Sequence, residues 1–375
     1  MRHSELLLVV MLVLILLIAV FAALQLSRNS ETPIYVGVEV AYANGTFDDV
    51  KNMVDKVKDY TNLLVIGSLD ISLNQTTLNQ TCDYIYNNGL HFIVLFTRNE
   101  TYTTYNIFDW ITDAKLKYAD KFLGIYRYDE PGGNQIDQGN QTLVTSAADY
   151  NDAATFYKQY LGIIITYYRN YAPYVFTADY ALHWFDYRSN YSAVFTEFAS
   201  NNTREIAVAQ DRGAANISGA DWGTMITWKY DIAPYIEPPE ELYHDMISAY
   251  NAGSKYIVIF NHPRTDMYGI LSENHFKVMK QFWTYVHNNP QNFGSEKARV
   301  AYVLPENYGF GLRRAEDSIW GLFPTDSLSS KVWSDVNKLV TLYGYNFDII
   351  YDEPNVVNTA KNRYEHLIYW NTTIT

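Results

Sequence analysis

The chain has 375 residues and a formal net charge of −13 at pH 7. That balance opposes nucleic acid and anionic lipid surfaces as partners, because both need an excess of Lys and Arg to displace counterions. A single cysteine, Cys82, rules out an intramolecular disulfide framework, so packing must hold the fold together.

After Met1-Arg2-His3-Ser4-Glu5 comes an unbroken apolar run from Leu6 to Leu24. At about 1.5 Å per residue it is long enough to cross a hydrocarbon core of roughly 30 Å. It also exceeds the roughly 7–15 apolar residues of a cleavable secretory peptide, and Ala22-Ala23 offers only a weak cleavage site. Residues 1–29 therefore read as a signal anchor, a transmembrane helix holding the chain to the membrane. Asn-x-Ser/Thr sequons at Asn44, Asn74, Asn79, Asn99, Asn140, Asn190, Asn201, Asn216 and Asn371 set the expected orientation. The expectation is a single-pass glycoprotein with its bulk outside the cell, or a secreted one if the segment is cleaved.

From Pro33 to Pro263, short β-branched runs alternate with helix-length amphipathic segments. The first strand is expected at Ile34 to Val40, followed by a helix opened by Thr46-Phe47-Asp48-Asp49. Leu63 to Leu69 is strand two. A helix from Thr77 to Asn88 stops at Gly89, and His91 to Thr97 is strand three. A helix over Ile107 to Tyr118 leads to strand four, Phe122 to Tyr128. From Pro131 to Ser146 no apolar period is visible, which suggests a long loop and a candidate lid. Helix four, Asp149 to Asn170, precedes strand five, Tyr174 to Tyr180, and the aromatic segment His183-Trp184-Phe185-Asp186-Tyr187. Strand six is Ala193 to Ala199, with Glu205 to Gln210 as the alternative. Strand seven, Gly223 to Tyr230, ends in Trp228-Lys229-Tyr230-Asp231. A helix from Pro239 to Asn251 and strand eight, Tyr256 to Phe260, complete the series before Asn261-His262-Pro263.

Eight such units predict an α/β fold, a closed (β/α)8 TIM barrel over residues 30–290. Beyond it, Arg299 to Leu304, a helix from Ser330 to Tyr343, Phe347 to Tyr351 and His366 to Trp370 read as a small α/β region over 291–375.

In a barrel the reactive groups gather where strands end. Strand four runs straight into Tyr128-Asp129-Glu130-Pro131, and the strand direction aims Glu130 at the mouth. Neighbouring strand residues face opposite sides, so Asp129 is expected to point elsewhere. Cleaving a glycosidic bond needs two carboxyl groups, one protonated and one ionised. Glu197 on strand six is the preferred partner, with Asp179 on strand five and Glu39 on strand one as alternatives. Crowded carboxyls in a partly dry cleft have raised pKa values, which would keep Glu130 protonated as an acid. Tyr126, Tyr128, Trp184, Trp228 and Tyr230 lie at strand exits where they would stack on sugar rings. Arg98, His183, Lys229, Asn261 and His262 stand nearby as hydrogen-bonding candidates.

Zincin, paired-cysteine, nucleophile-elbow and P-loop motifs have no match in the sequence, so no metal and no cofactor is expected. A second Asp-Glu-Pro, Asp352-Glu353-Pro354, falls outside the eight-unit rhythm and reads as a turn.

At Tyr128-Asp129-Glu130-Pro131 the chain resembles barrel glycoside hydrolases of the large retaining clan, in which an Asn/Asp-Glu-Pro sequence at the end of strand four carries the acid/base Glu. The resemblance implies that role for Glu130 and a carbohydrate or glycoconjugate partner. The trailing Arg299 to Trp370 segment looks like the α/β domain following the barrel in some β-galactosidases. The chain departs from the clan at strand seven, where the clan's nucleophilic Glu has no counterpart in Trp228-Lys229-Tyr230-Asp231. Either Glu197 substitutes, as in barrel clans that use strands four and six, or the barrel is a non-catalytic glycan-binding or cell-envelope scaffold.

Overall fold

The computed structural model describes residues 34–96 and 103–374. The expected anchor at residues 1–29 and the candidate ligand Arg98 lie outside the described residues. Among the described residues, no helix is long and apolar enough to cross a membrane.

Strands and helices alternate in the order the apolar rhythm implies. The order is β1 (Tyr35–Val40), α1 (Phe47–Val57), β2 (Leu63–Ile66), α2 (Leu69–Ser72), α3 (Gln75–Asn87), β3 (His91–Phe96), α4 (Ile107–Tyr118) and β4 (Phe122–Arg127). It continues with α5 (Pro131–Asp137), α6 (Tyr150–Arg169), β5 (Tyr174–Asp179), α7 (His183–Arg188), β6 (Ala193–Phe198), α8 (Arg204–Ser218), β7 (Asp221–Ile226), α9 (Pro239–Ala252), β8 (Tyr256–Asn261) and α10 (Glu273–Asn288). The eight strands pair in parallel, each with the next, and β8 returns to β1 with Tyr35 opposite Tyr256 and Val40 opposite Asn261, closing the barrel. A second, parallel sheet of order β10-β9-β11 follows, built from β9 (Val300–Leu304), α11 (Ser327–Tyr343), β10 (Phe347–Tyr351), α12 (Val356–Lys361) and β11 (His366–Tyr369).

Alternate strand residues point into the barrel and fill it. Leu63 and Val65, Phe176 and Ala178, Ala193 and Phe195, and Tyr256 and Val258 form one buried cluster. The intervening residues meet the helices, so a strand such as β6 is buried at all six positions and shows no polar alternation. Each large side chain so buried contributes about 1.5–3 kcal/mol, which is how the chain holds together without a disulfide. The helices begin and stop on local chemistry. Thr46 caps α1 in a reciprocal box with Asp49, Asp149 caps α6, and Gly253 ends α9 in the left-handed conformation.

Strand six falls where it was preferred, as β6 (Ala193–Phe198), and the loop expected after Pro131 needed correction. The alternative strand Glu205 to Gln210 is helical, as part of α8. That helix is apolar on two faces because it is wedged between the barrel and the second sheet. At Gly213, a Cβ would come within 2.3 Å of the Ile349 carbonyl oxygen, and the buried Arg212 pairs with Asp348 at 2.7 Å. The stretch after Pro131 is not a structureless loop either, since its first seven residues form α5. Gln135 then fastens it: its Nε2 donates to the Val144 and Trp320 carbonyls, both at 2.9 Å, and its Oε1 accepts from Val144 N at 2.8 Å.

Candidate active site

Inward-facing positions at the C-terminal ends of β1 and β6 carry Glu39 and Glu197, one step above the apolar residues that fill the barrel. Both are nearly inaccessible, at 3% and 6% exposure. Strand β4 delivers the rest. It ends at Arg127, after which Tyr128 (φ 59°) and Glu130 (φ 49°) both take the left-handed conformation, which costs a non-glycine residue about 1–3 kcal/mol. The barrel holds this turn in place. Glu130 N donates to the Ala178 carbonyl at 3.1 Å, the Thr177 hydroxyl donates to the Tyr128 carbonyl, and Gly132 N and Gly133 N donate to the Asp179 carboxylate at 2.5 and 2.8 Å. Gly132 has to be glycine, because a Cβ there would stand 2.3 Å from the Ala181 carbonyl oxygen.

The turn defeats the strand alternation expected for Asp129 and Glu130. With the backbone reversed twice in three residues, both carboxylates face one cavity of about 410 Å³ at the barrel mouth. Glu39, Asp70, Asp129, Glu130 and Glu197 supply its acids, while Leu95, Met225 and Phe260 supply apolar wall. Among the described residues, the lining contains no Lys or Arg.

Burial in this setting raises the carboxyl pKa values. Glu39 is pushed up to about 8 by desolvation and then by the nearby charge of Asp129. Glu130 is pushed up to about 8 by desolvation, then by Asp129 and Asp179. Glu197 is driven well above the usual carboxylate range by desolvation and by Glu130. Glu130 and Glu197 border the same cavity, and the charge of Glu130 opposes ionisation of Glu197. Below them the buried Tyr126 hydroxyl donates to Asp129.

Glu130, Glu197 and Thr227 also border a second cavity of about 370 Å³, whose other walls include Tyr180, Asn202, Trp228, Arg313 and Arg314. The carboxyl pair is thus the ridge between two hollows. Trp228 lies against His262, with ring centroids 5.7 Å apart and planes at 21°, so an aromatic wall runs from one hollow to the other. Arg313 is held by Asp317 and Asp137, each at 2.8 Å, which ties the segment after β9 to the end of α5.

The remaining candidates stand elsewhere. Asp179 lines neither cavity. Fully buried, it accepts four backbone N–H groups, those of Gly132, Gly133, Tyr180 and Ala181, and so braces the Glu130 turn. Burial pushes its pKa up to about 6 against the opposing pull of those donors. His183 is buried with Nε2 3.0 Å from the Asp179 carbonyl oxygen, and desolvation pushes its pKa down to about 4. Trp184 turns toward the second sheet, where its Nε1 donates to Glu353 at 2.7 Å. The segment read as site lining is in fact α7, buried beneath that sheet. Tyr128 faces outward beneath the Arg127 guanidinium, 5.4 Å from its ring centroid, and Tyr230 is 39% exposed and borders neither cavity. Asn261 sits behind the wall: its Nδ2 donates to the Tyr42 hydroxyl at 2.6 Å, and its Oδ1 accepts from Ile270 N at 3.0 Å. Reading the sequence missed Tyr42, Asp70, Thr227, Arg313 and Arg314. The first three lie just past strand ends, a position that could have marked them, whereas the arginines come from the region after the barrel.

No protein-family model and no curated protein matches the chain. Solved structures do share the fold. A GH5_18 protein from Bifidobacterium longum subsp. infantis aligns with a TM-score of 0.53 at 11% identity, over 90% of this chain and 97% of that one. Alpha-L-fucosidase isoenzyme 2 from Paenibacillus thiaminolyticus aligns with a TM-score of 0.50 at 12% identity over 89% of this chain, which spans 59% of the fucosidase. The chain shares the TIM-barrel fold of these structures, with a small three-stranded sheet appended.

Proposed function

We propose that the protein is a glycoside hydrolase that cleaves an O-glycosidic bond with Glu130 and Glu197, acting outside the cell and held at the membrane by its N-terminal segment. The observation that carries the catalytic reading is the carboxyl pair itself: two acids from the ends of strands far apart in sequence that meet on the ridge between two cavities. A glycan laid across that ridge has its scissile bond at the pair. The extracytoplasmic placement rests on the Leu6–Leu24 run and the sequons.

The order of ionisation divides the roles. Both carboxyls are held above the usual range, and Glu197, buried more deeply and opposed by the charge of Glu130, is the one that keeps its proton. Glu197 is then the acid that protonates the departing oxygen, and Glu130 the carboxylate that attacks the anomeric carbon. This reverses the division implied by the strand-four motif.

The test is the full chain against a panel of aryl glycosides and polysaccharides, with Glu130→Gln and Glu197→Gln beside it. Removing either acid should lower kcat/KM by about 100- to 10,000-fold. A dinitrophenyl leaving group departs without protonation, so on that substrate Glu197→Gln should recover most of the rate and Glu130→Gln none. The opposite pattern would restore the motif-based roles. Equal turnover in all three proteins would leave only a glycan-binding scaffold.

A further inference from the structure

The smaller hollow, beside Glu130 and Glu197, is walled in part by a segment from outside the barrel. Residues 305–326, between β9 and α11, reach it with Arg313 and Arg314. The segment is held firmly. Trp320 is fully buried, its Nε1 donates to the Asn307 carbonyl at 2.9 Å, and Gly309 packs so closely on the indole that a Cβ would stand 2.3 Å from it. Leu312, next to the arginines, takes the left-handed conformation (φ 60°), which a non-glycine residue keeps only where its surroundings impose it.

The two arginines differ in what they have left to offer. Arg313 spends its donors inward, Nε and Nη2 on Asp317 at 3.1 and 2.8 Å and Nη1 on Asp137 at 3.0 Å. Asp137 ends α5, which begins at Pro131 directly after Glu130, so Arg313 fixes the segment relative to the carboxyl pair. Arg314 gives Nε alone, to Asp317 at 3.3 Å, and among the described residues no acceptor meets its two terminal nitrogens. Its side chain is 66% exposed on the cavity wall, which it shares with the Trp228 indole.

We propose that this hollow is the subsite for a hexuronic acid residue, a sugar whose carboxylate is held by the terminal edge of the Arg314 guanidinium. The inference rests on the hydrolase reading and deepens it, since it names the substrate class as an acidic glycan. Asp317 and Asp137 already balance the two arginines in charge, so geometry makes the difference. Two parallel N–H groups match the two oxygens of a planar carboxylate, whereas a hydroxyl engages one of them and brings no charge. Trp228 offers an apolar face to the sugar ring. Glu197, kept protonated by burial, adds no repulsion. Asp231, exposed on the segment after β7, is the remaining charged group on this wall. The net charge of −13 acts weakly at this range, because salt screens exposed charges beyond about 8 Å.

The test is binding, read by ligand-observed NMR titration of the full chain in a sugar-free detergent. The probes are the methyl glycosides of glucuronate, galacturonate and mannuronate, each beside its parent hexoside and its neutral C6 methyl ester. At least one uronate should bind about tenfold or more tightly than both of its neutral counterparts, the range of a charge-assisted hydrogen bond. Arg314 is largely exposed and Arg313 still satisfies Asp317 without it, so Arg314→Gln should fold, and it should bring uronate, hexoside and ester to equal affinity. Arg314→Lys keeps the charge without the fork and should restore only part of the preference. Equal binding within all three sets, binding of none, a preference that survives Arg314→Gln, or full restoration by lysine would each overturn the assignment. Turnover of aryl glycosides by the native chain against Glu130→Gln is a separate readout, so failure of the hydrolase reading is recognised independently of this one.

Discussion

The tripeptide Asp-Glu-Pro occurs twice, each time just past the end of a parallel strand, and the two copies have opposite surroundings. After β10, Glu353 is fastened: its Oε2 accepts from Arg188 Nε at 2.8 Å and its Oε1 from Trp184 Nε1 at 2.7 Å, with the Arg188 guanidinium 4.4 Å from the Trp184 ring centroid. After β4, Glu130 faces Glu197 and Asp129, and among the described residues no cation is paired with it. The difference is closure. Strand β10 is the edge of a three-stranded sheet, and α7 brings it one arginine and one indole. Strand β4 belongs to a ring, so β1 and β6 send Glu39 and Glu197 to the same opening. A carboxylate given a guanidinium becomes a fastener, whereas one given other carboxyls in a drying cavity becomes a proton carrier.

The sharpest way to break this contrast is to make the same substitution in both copies. Glu130→Gln should cost about 100- to 10,000-fold in turnover and leave thermal stability nearly unchanged, because it replaces a carboxyl whose charged form its neighbours oppose with a neutral isostere. Glu353→Gln should leave turnover per folded molecule intact. Turnover lost equally in both would mean that the second sheet, and not the ring of strand ends, governs the chemistry.

Much of this contrast was legible in the sequence. The eight apolar runs, the helix stops at Gly89 and Gly253, and the position of Glu130 and Glu197 at strand ends all follow from periodicity and from the chirality of parallel connections. What was not legible depends on backbone reversal or on distant segments. Asp129 was expected to face away because alternation holds within a strand, yet the left-handed Tyr128 and Glu130 lie beyond the strand end. Trp184 and His183 read as site lining because an aromatic loop after β5 has the right address, and only the second sheet, more than 160 residues later, claims Trp184. Asp179 has the right strand and the right chemistry but spends its lone pairs on four backbone donors.

That bracing role is itself a way to sharpen the comparison. Asp179→Ala leaves the N–H groups of Gly132 and Gly133 buried without an acceptor, at about 1–3 kcal/mol for each group so orphaned. The thermal midpoint should fall, and kcat should fall in the molecules that remain folded, with KM less affected, since the residue lines neither cavity and acts through the turn that aims Glu130. An unchanged kcat would show that the turn keeps its shape without the brace. A smaller effect belongs to the other tripeptide. Glu353→Gln exchanges an ionic acceptor for a neutral one opposite Arg188, in a pair that is 14% and 24% exposed, and should cost about 1–2 kcal/mol in chemical denaturation.

The smallest effect, per pH unit, is also the most direct readout of the cavity. Glu39 has a folded-state pKa of about 8 against an ordinary carboxylate value of 4.5, so the native state holds a proton that the unfolded chain has already lost. Stability from this group is complete below about pH 4.5 and is lost as pH rises toward 8, with a slope of at most about 1.4 kcal/mol per pH unit. Asp49 and Asp137 act in the opposite sense. Hydrogen bonds and ion pairs hold their pKa values below the usual range despite partial desolvation, so they add stability that is lost only as pH falls through the acid range. Between pH 5 and 8 the acid cluster therefore decides the sign, and the thermal midpoint of the full chain should decline across that window. Glu39→Gln should flatten the decline while leaving the acid limb, set by Asp49 and Asp137, where it was. Parallel curves for the two proteins would mean that Glu39 is already ionised in the folded state, its charge solvated at the barrel mouth, and that the cavity is too wet to hold a proton against solvent.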